Sequence, residues 1–247
     1  MTTDYDLHAL QELRAWQSRM RRSPGLFDHL THRVQTRVNR VIPEKIHQAI
    51  TATIKQLVRG VLFGAEYTSA SPLLAPTSLV AREMVVQERI VHYRNLATAE
   101  GAATGAAGFL LGLADFPLLL GLKLKLLFEI AALYGYDVRQ YPERVYLLRV
   151  FQLAFSSQHE RNAVFRQLED WEVTAAALPP DVHDFDWRTF QQEYRDYIDL
   201  AKLAQLLPVI GAAVGAVANY RLVGHLGRTA MMAYRMRALP RMGRGDS

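Results

Sequence analysis

Gly101-Ala102-Ala103-Thr104-Gly105-Ala106-Ala107-Gly108-Phe109-Leu110-Leu111-Gly112-Leu113-Ala114-Asp115-Phe116-Pro117-Leu118-Leu119-Leu120-Gly121 is the stretch that decides the fold class. Gly101, Gly105, Gly108 and Gly112 recur every three or four residues, the spacing of one helical face. Glycine inside a helix costs about 1 kcal/mol relative to alanine. A chain carries that cost where another helix, a bilayer or an apolar ligand approaches the backbone closely. A second run, Pro208-Val209-Ile210-Gly211-Ala212-Ala213-Val214-Gly215 and then Asn219, repeats the composition near the C-terminus. The two runs are expected to cross at short distance as central helices of a bundle.

Outward from these runs the periodicity stays helical. Leu10, Leu13, Trp16 and Met20 share a face, closed by Pro24-Gly25. Phe27, Leu30, Val34, Val38 and Val41 form the next stripe, and Ile46, Ile50, Ile54, Leu57, Val61 and Leu62 follow Pro43. A helix is predicted over 77–99 and another from Pro117 to Glu129, with Gly135 as its left-handed cap. Pro142-Glu143 opens a further helix with an acid in its first turn. Leu178-Pro179-Pro180 breaks the chain before a helix bearing Trp187, Phe190, Tyr194 and Ile198. No stretch alternates with period two. The expectation is an all-α, compact multi-helix bundle with two central Gly-rich apolar helices. Residues 1–66 supply amphipathic helices that pack on a helical domain at 77–240, the two forming one structural unit.

Neither apolar run is long enough to span a membrane. Residues 109–122 make a helix of roughly 21 Å, interrupted by Asp115 and Pro117, whereas a bilayer core needs about twenty apolar residues. Residues 203–218 contain Gln205 and Pro208. Two readings stay open: buried central helices, or a pair that dips into lipid. The start of the chain, acidic and without an apolar core segment, does not read as a signal peptide.

The 247 residues include no cysteine, which removes disulfides and thiolate chemistry. Charge is uneven. Arg19, Arg21 and Arg22 lie in a basic N-terminal segment and Arg235, Arg237 and Arg241 in a basic tail, with an acidic stretch between. Basic ends suit an anionic membrane surface, and these six arginines are the candidate docking residues. The competing reading is solvated helix faces matched to the acidic stretch. Nucleic acid is the weaker partner, because the basic segments carry no zinc-finger spacing or aromatic RNA-binding motif.

Enzyme signatures are missing. His159-Glu160 starts a zinc-helix pattern, but Ala163 stands where the second histidine belongs. His29 and His32 are three apart without a suitable acid partner set. There is no nucleophile elbow, phosphate loop or dinucleotide fingerprint. No catalytic residue, metal or cofactor is expected. The candidate ligand-binding set is Gly105, Gly108, Gly112, Asp115, Phe116, Gly211, Gly215 and Asn219. Asp115 also suits a helix N-cap, Asn219 a backbone partner, and Glu129 a salt bridge with Lys125.

The order Asp115-Phe116-Pro117, Glu129-Ile130-Ala131, Tyr134-Gly135-Tyr136-Asp137 and Pro142-Glu143-Arg144, with the run from Leu207 to Asn219, resembles the EcsC family over residues 80–236. The resemblance implies a helical, mainly bacterial protein, in a family named for a protein encoded beside an ABC transporter. Two functions follow as expectations. One is a binding protein for lipid or another apolar ligand, cytoplasmic and peripheral on the inner face of the membrane. The alternative is a non-catalytic accessory or regulatory partner of a membrane transporter.

Overall fold

The computed structural model of the chain describes residues 4–22, 52, 55–56, 58–61, 78–107, 116–157, 160–186, 188–190 and 212–239. All regular structure among them is helical; no β-strand occurs among the described residues. Helix α1 (Asp4–Arg21) has Asp4 and Asp6 in its first turn and Arg19 and Arg21 in its last, charges that complement the helix dipole. Its inner face is Ala9, Leu13 and Trp16, spaced four and three apart.

Helix α2 (Leu79–Ala107) runs unbroken through Gly101 and Gly105, so the first glycine run begins inside the helix that sequence periodicity ended near residue 99. Helix α3 (Phe116–Leu133) follows. It ends as expected. Gly135 adopts φ +85°, its N–H donates to the Ala132 carbonyl (2.9 Å), and the Tyr136 N–H donates to the Ala131 carbonyl (3.0 Å). This is the paired bonding of a Schellman cap, which needs a left-handed residue. Helix α4 (Tyr141–Phe155) opens with Pro142 and Glu143 in its first turn and is buried along most of its length. Short helices α5 (Arg161–Glu169) and α6 (Trp171–Ala176) lead to a 3₁₀ turn at Val182–Asp184. Helix α7 (Ala212–Ala238) closes the described structure.

The centre of the bundle is the antiparallel pair α2 and α7. Arg235 meets Glu83, Met231 meets Gln87, Gly227 meets Ile90 and Gly224 meets Arg94. Among the glycines whose surroundings the structure describes, close approach falls at two that the sequence did not single out. A Cβ on Gly227 would lie 2.6 Å from Ile90 Cγ1, and one on Gly224 would lie 3.1 Å from Arg94 Nε. Helix α3 covers one side of this pair, through Tyr93 and Glu129, and α4 covers another, where the Tyr146 hydroxyl donates to the Ala233 carbonyl (2.8 Å). Helix α1 closes over the end, with Trp16 edge-on to Phe165 of α5 at 5.3 Å. The core joins Val86, Ile90, Leu127, Ile130, Leu147, Phe151, Leu226 and Ala230.

No described helix is long and apolar enough to cross a membrane. The stripe Phe27–Val41, the remainder of the helix after Pro43 and the histidines His29 and His32 lie outside the described residues.

Candidate functional site

Two charged groups in the interior are fully matched, and both use arginines of α7. The Arg235 Nε donates to Glu83 Oε1 (2.6 Å) and a terminal nitrogen donates to Oε2 (2.5 Å). Arg235 also donates to Glu12 Oε2 (2.7 Å) and to the Ala9 carbonyl of α1. The Tyr5 and Tyr134 hydroxyls complete Glu83, at 2.6 and 2.8 Å. Burial disfavours the guanidinium charge, yet the hydrogen bonds to Glu83 and Glu12 outweigh it and raise the pKa of Arg235. Burial and the Glu83 bond push Tyr5 up to about 12 and Tyr134 higher still. This cluster ties α1, α2, α3 and α7 together.

The second group is Arg237 with Glu143, two parallel hydrogen bonds of 2.6 Å. The guanidinium carbon stands 3.8 Å from the Tyr136 ring centre and 4.4 Å from that of Tyr146. Tyr234 packs against Tyr134, Tyr136 and Tyr146, with centroids 5.1–5.9 Å apart.

These contacts correct part of the expected docking set. Arg235 is only 2% exposed and Arg237 is enclosed by two rings and a carboxylate, so neither faces a membrane. Arg21 is exposed but bonded to Glu169 of α5, and its carbonyl accepts from Asn162. Arg19 and Arg22 are exposed. Arg241 lies outside the described residues. A basic tail in the sequence is therefore partly an internal clamp, matched to acids far away in the chain.

The other end of the bundle has a different character. There α2 carries Gly101 and Gly105, and α7 carries Gly215. Ala216, Asn219, Val223, Leu226 and Ala230 make the inward face of α7. Asn219 is 0% exposed, and neither its amide nitrogen nor its amide oxygen has a hydrogen-bond partner. The expectation that it bonds a neighbouring backbone group is thus not met. On α3, Lys123 is 1% exposed. Helical register puts the two at a similar level along α2. Tyr93 meets Glu129, and Gly224 meets Arg94. Six residues back from Glu129 is Lys123, and five back from Gly224 is Asn219. Both steps lead to the same turn of α2, that of the buried Ala97 and of Gly101. Nearby Gly121 is open: a Cβ there would meet nothing within 4 Å.

Lys123 was not flagged by sequence reasoning. The signal was its place in step with Leu120, Leu127 and Ile130 on the buried face of an otherwise apolar helix. Of the candidate ligand residues, Gly105, Phe116, Gly215 and Asn219 fall within α2, α3 and α7. Gly108, Gly112, Asp115 and Gly211 lie outside the described residues. Glu129 does not use Lys125. It accepts from the Tyr93 hydroxyl (2.7 Å) and lies 3.7 Å from Arg89. Among the described residues, no three histidines or acids gather as metal ligands do.

The family model described as the EcsC protein family matches residues 7–239, from α1 to just past the end of α7. Protein EcsC of Bacillus subtilis (strain 168) is 44% identical over 230 residues, covering 93% of this chain and 94% of that protein. The uncharacterized protein YdbA of the same organism is 34% identical over 145 residues, 59% of this chain and 53% of its own length. No solved structure matches. A match spanning both the ion-pair end and the Gly-rich end, together with the extent of the likeness to Protein EcsC, makes this chain a member of the EcsC family.

Proposed function

We propose that the chain binds a lipid or other apolar ligand at the Gly-rich end of α2 and α7 and associates peripherally with anionic membrane. The observation that carries the reading is Asn219. Its side chain is 0% exposed, and neither amide atom has a hydrogen-bond partner within the protein. A buried amide left unsatisfied costs about 1–3 kcal/mol, so it is kept where a bound group satisfies it. Leu96, Val217 and Tyr220 are exposed near the same end, an apolar rim through which a ligand or a lipid surface would be met. Exposed Arg19, in the last turn of α1, and Arg22, just past its end, supply positive charge. Mass spectrometry of organic extracts from the purified protein tests the reading. Co-purified acyl lipids are expected, and lipid-free extracts from protein that also fails to bind an added acyl probe would overturn it.

A second reading is an accessory partner of a membrane transporter. It is favoured by Met84 and Val91, seven residues apart on one face of α2 and 63% and 49% exposed. Polar replacement of both would abolish such a complex and leave acyl binding intact.

A further inference from the structure

We infer that the outer face of the α2–α7 pair docks a second copy of this chain, whether or not a ligand is bound. The two copies are related by a twofold axis running along the helices. On α2, residues Glu83, Gln87, Ile90 and Arg94 meet α7, and Tyr93 turns toward α3. Met84, Glu88, Val91 and Asn95 lie about a third of a turn round from the α7 contacts, and all four are exposed. On α7, Gly224, Gly227 and Met231 meet α2, while Val223, Leu226 and Ala230 turn inward. Val217, Arg221 and Arg228 take the side that is left, and they too are exposed. Because the helices are antiparallel, these two sides form one face, turned away from α3. Met84 and Val91 give it an apolar strip, which Val217 and Tyr220 continue toward the Gly-rich end.

Charge selects the occupant. The face carries an acid on its α2 edge and two cations on its α7 edge, a pattern complementary to itself. An anionic bilayer would repel Glu88 where it attracts Arg228. Under a twofold axis along the helices, α2 of one copy lies over α7 of the other, and every residue keeps its level. The contacts of Gly227 with Ile90 and of Gly224 with Arg94 fix those levels. Arg228 stands within about 3 Å of the level of Glu88, and Arg221 within about 3 Å of that of Asn95. Glu88 therefore faces the partner's Arg228, and Asn95 the partner's Arg221, and symmetry makes each contact twice. A twofold axis across the helices would instead stack α7 on α7 and set arginine against arginine. The face is roughly 25 Å long, from Met84 to Val217, and roughly 20 Å across two helices. Two such faces bury on the order of 1,000 Å², the lower end for a specific interface, which suits micromolar association. The same axis turns both Gly-rich ends one way, so both apolar rims can meet one lipid surface.

Sedimentation velocity of the full-length protein tests this. The parent is expected to pass from monomer to dimer between about 1 and 200 µM. Arg228→Glu alone sets glutamate against Glu88 in both contacts, and Glu88→Arg alone sets arginine against Arg228. Each is expected to weaken association by at least about tenfold. Both positions are exposed, so each variant should melt, when dilute, as the parent does. Mixed one to one, the two variants regain opposite charges at both contacts. The mixture is expected to form a heterodimer with an affinity within about threefold of the parent's, and both changes in one chain should do the same. A parent that stays monomeric over the whole range overturns the inference and leaves the face to the transporter partner of the second reading. A dimer that both single variants form as tightly as the parent overturns the assignment of the face. A mixture that associates no better than either variant alone overturns the pairing of Glu88 with Arg228, and with it the axis.

Discussion

Glu83 and Arg235 are 152 positions apart in the chain and form a two-pronged ion pair with hydrogen bonds of 2.6 and 2.5 Å, both side chains almost fully buried. Each is further saturated, Glu83 by two tyrosine hydroxyls and Arg235 by Glu12 and the Ala9 carbonyl. A buried pair of this kind adds little net stability against a well-packed apolar core, but removing one partner strands the other. The cluster therefore acts as a fastening that holds four helices in one arrangement.

Arg235→Met is expected to destabilise the protein by about 3–5 kcal/mol, since the Glu83 carboxylate loses its cation inside the bundle. Replacing Glu83 by Leu as well does not restore the parent, because the Tyr5 and Tyr134 hydroxyls then lose their acceptor. Urea unfolding of both variants checks this. A single variant with a parental midpoint would mean that the pair does not fasten the fold.

Two glycine-to-alanine changes should act with opposite signs. At Gly227 the new Cβ would stand 2.6 Å from Ile90 Cγ1, inside a packed helix crossing. Overpacking there outweighs the gain in helix propensity, for a net loss of about 1–2 kcal/mol. Ile90→Val in the same chain would recover part of it. At Gly121 no atom lies within 4 Å, so alanine should stabilise α3 by about 0.5–1 kcal/mol. Thermal melts of the two variants separate the effects. Shifts of the same sign would contradict the crossing geometry.

The contrast between these glycines shows what was legible in the sequence. Periodicity and punctuation gave the helices, the Gly135 cap and the Pro142 start, because those features depend on neighbouring residues alone. Which glycine touches another helix depends on the angle and register of α2 against α7, and Gly224, Gly227 and Gly121 look alike in one dimension. The same holds for Arg235 and Arg237. An arginine in a basic tail reads as solvated until a distant Glu83 or Glu143 is placed beside it. Asn219 was visible as a polar residue closing an apolar run, but its vacant amide is a property of the packed interior. The burial of Lys123 was not legible, since the sequence does not show how much of a lysine side chain is covered.

Stability should fall at alkaline pH. An unfolded tyrosine ionises near pH 10, whereas burial and the Glu83 bond hold Tyr5 up to about 12, and burial raises Tyr93, Tyr134, Tyr146 and Tyr234 as well. Above about pH 10 the unfolded chain releases protons that the folded chain retains, so it is favoured increasingly as pH rises. Below that pH both states are protonated at these groups and the tyrosine contribution is flat. Tyrosinate absorbance near pH 11 should report only part of the 11 tyrosines in folded protein, with the rest appearing together on unfolding. Ionisation of all tyrosines while the helical signal is intact would contradict the buried hydroxyl cluster.

Membrane association, if it is electrostatic, should depend on α1 and not on the C-terminal clamp. Arg19 and Arg22 are exposed, whereas Arg235 and Arg237 are committed to Glu83 and Glu143 inside the bundle. Near an anionic surface each basic residue contributes about 1 kcal/mol, and salt screens the attraction over about 8–10 Å. Reversing both charges, Arg19→Glu with Arg22→Glu, is therefore expected to weaken binding to vesicles containing phosphatidylglycerol by more than about tenfold at low salt. Neither side chain lies on the buried face of α1, so the melting temperature should stay within about a degree of the parent's. Flotation with anionic and with neutral vesicles, at low and at high salt, measures it. The parent should float with anionic vesicles at low salt and be released by high salt. Flotation that ignores both lipid charge and salt would remove the electrostatic part of the proposal, and flotation unaffected by the double reversal would move the docking surface off α1.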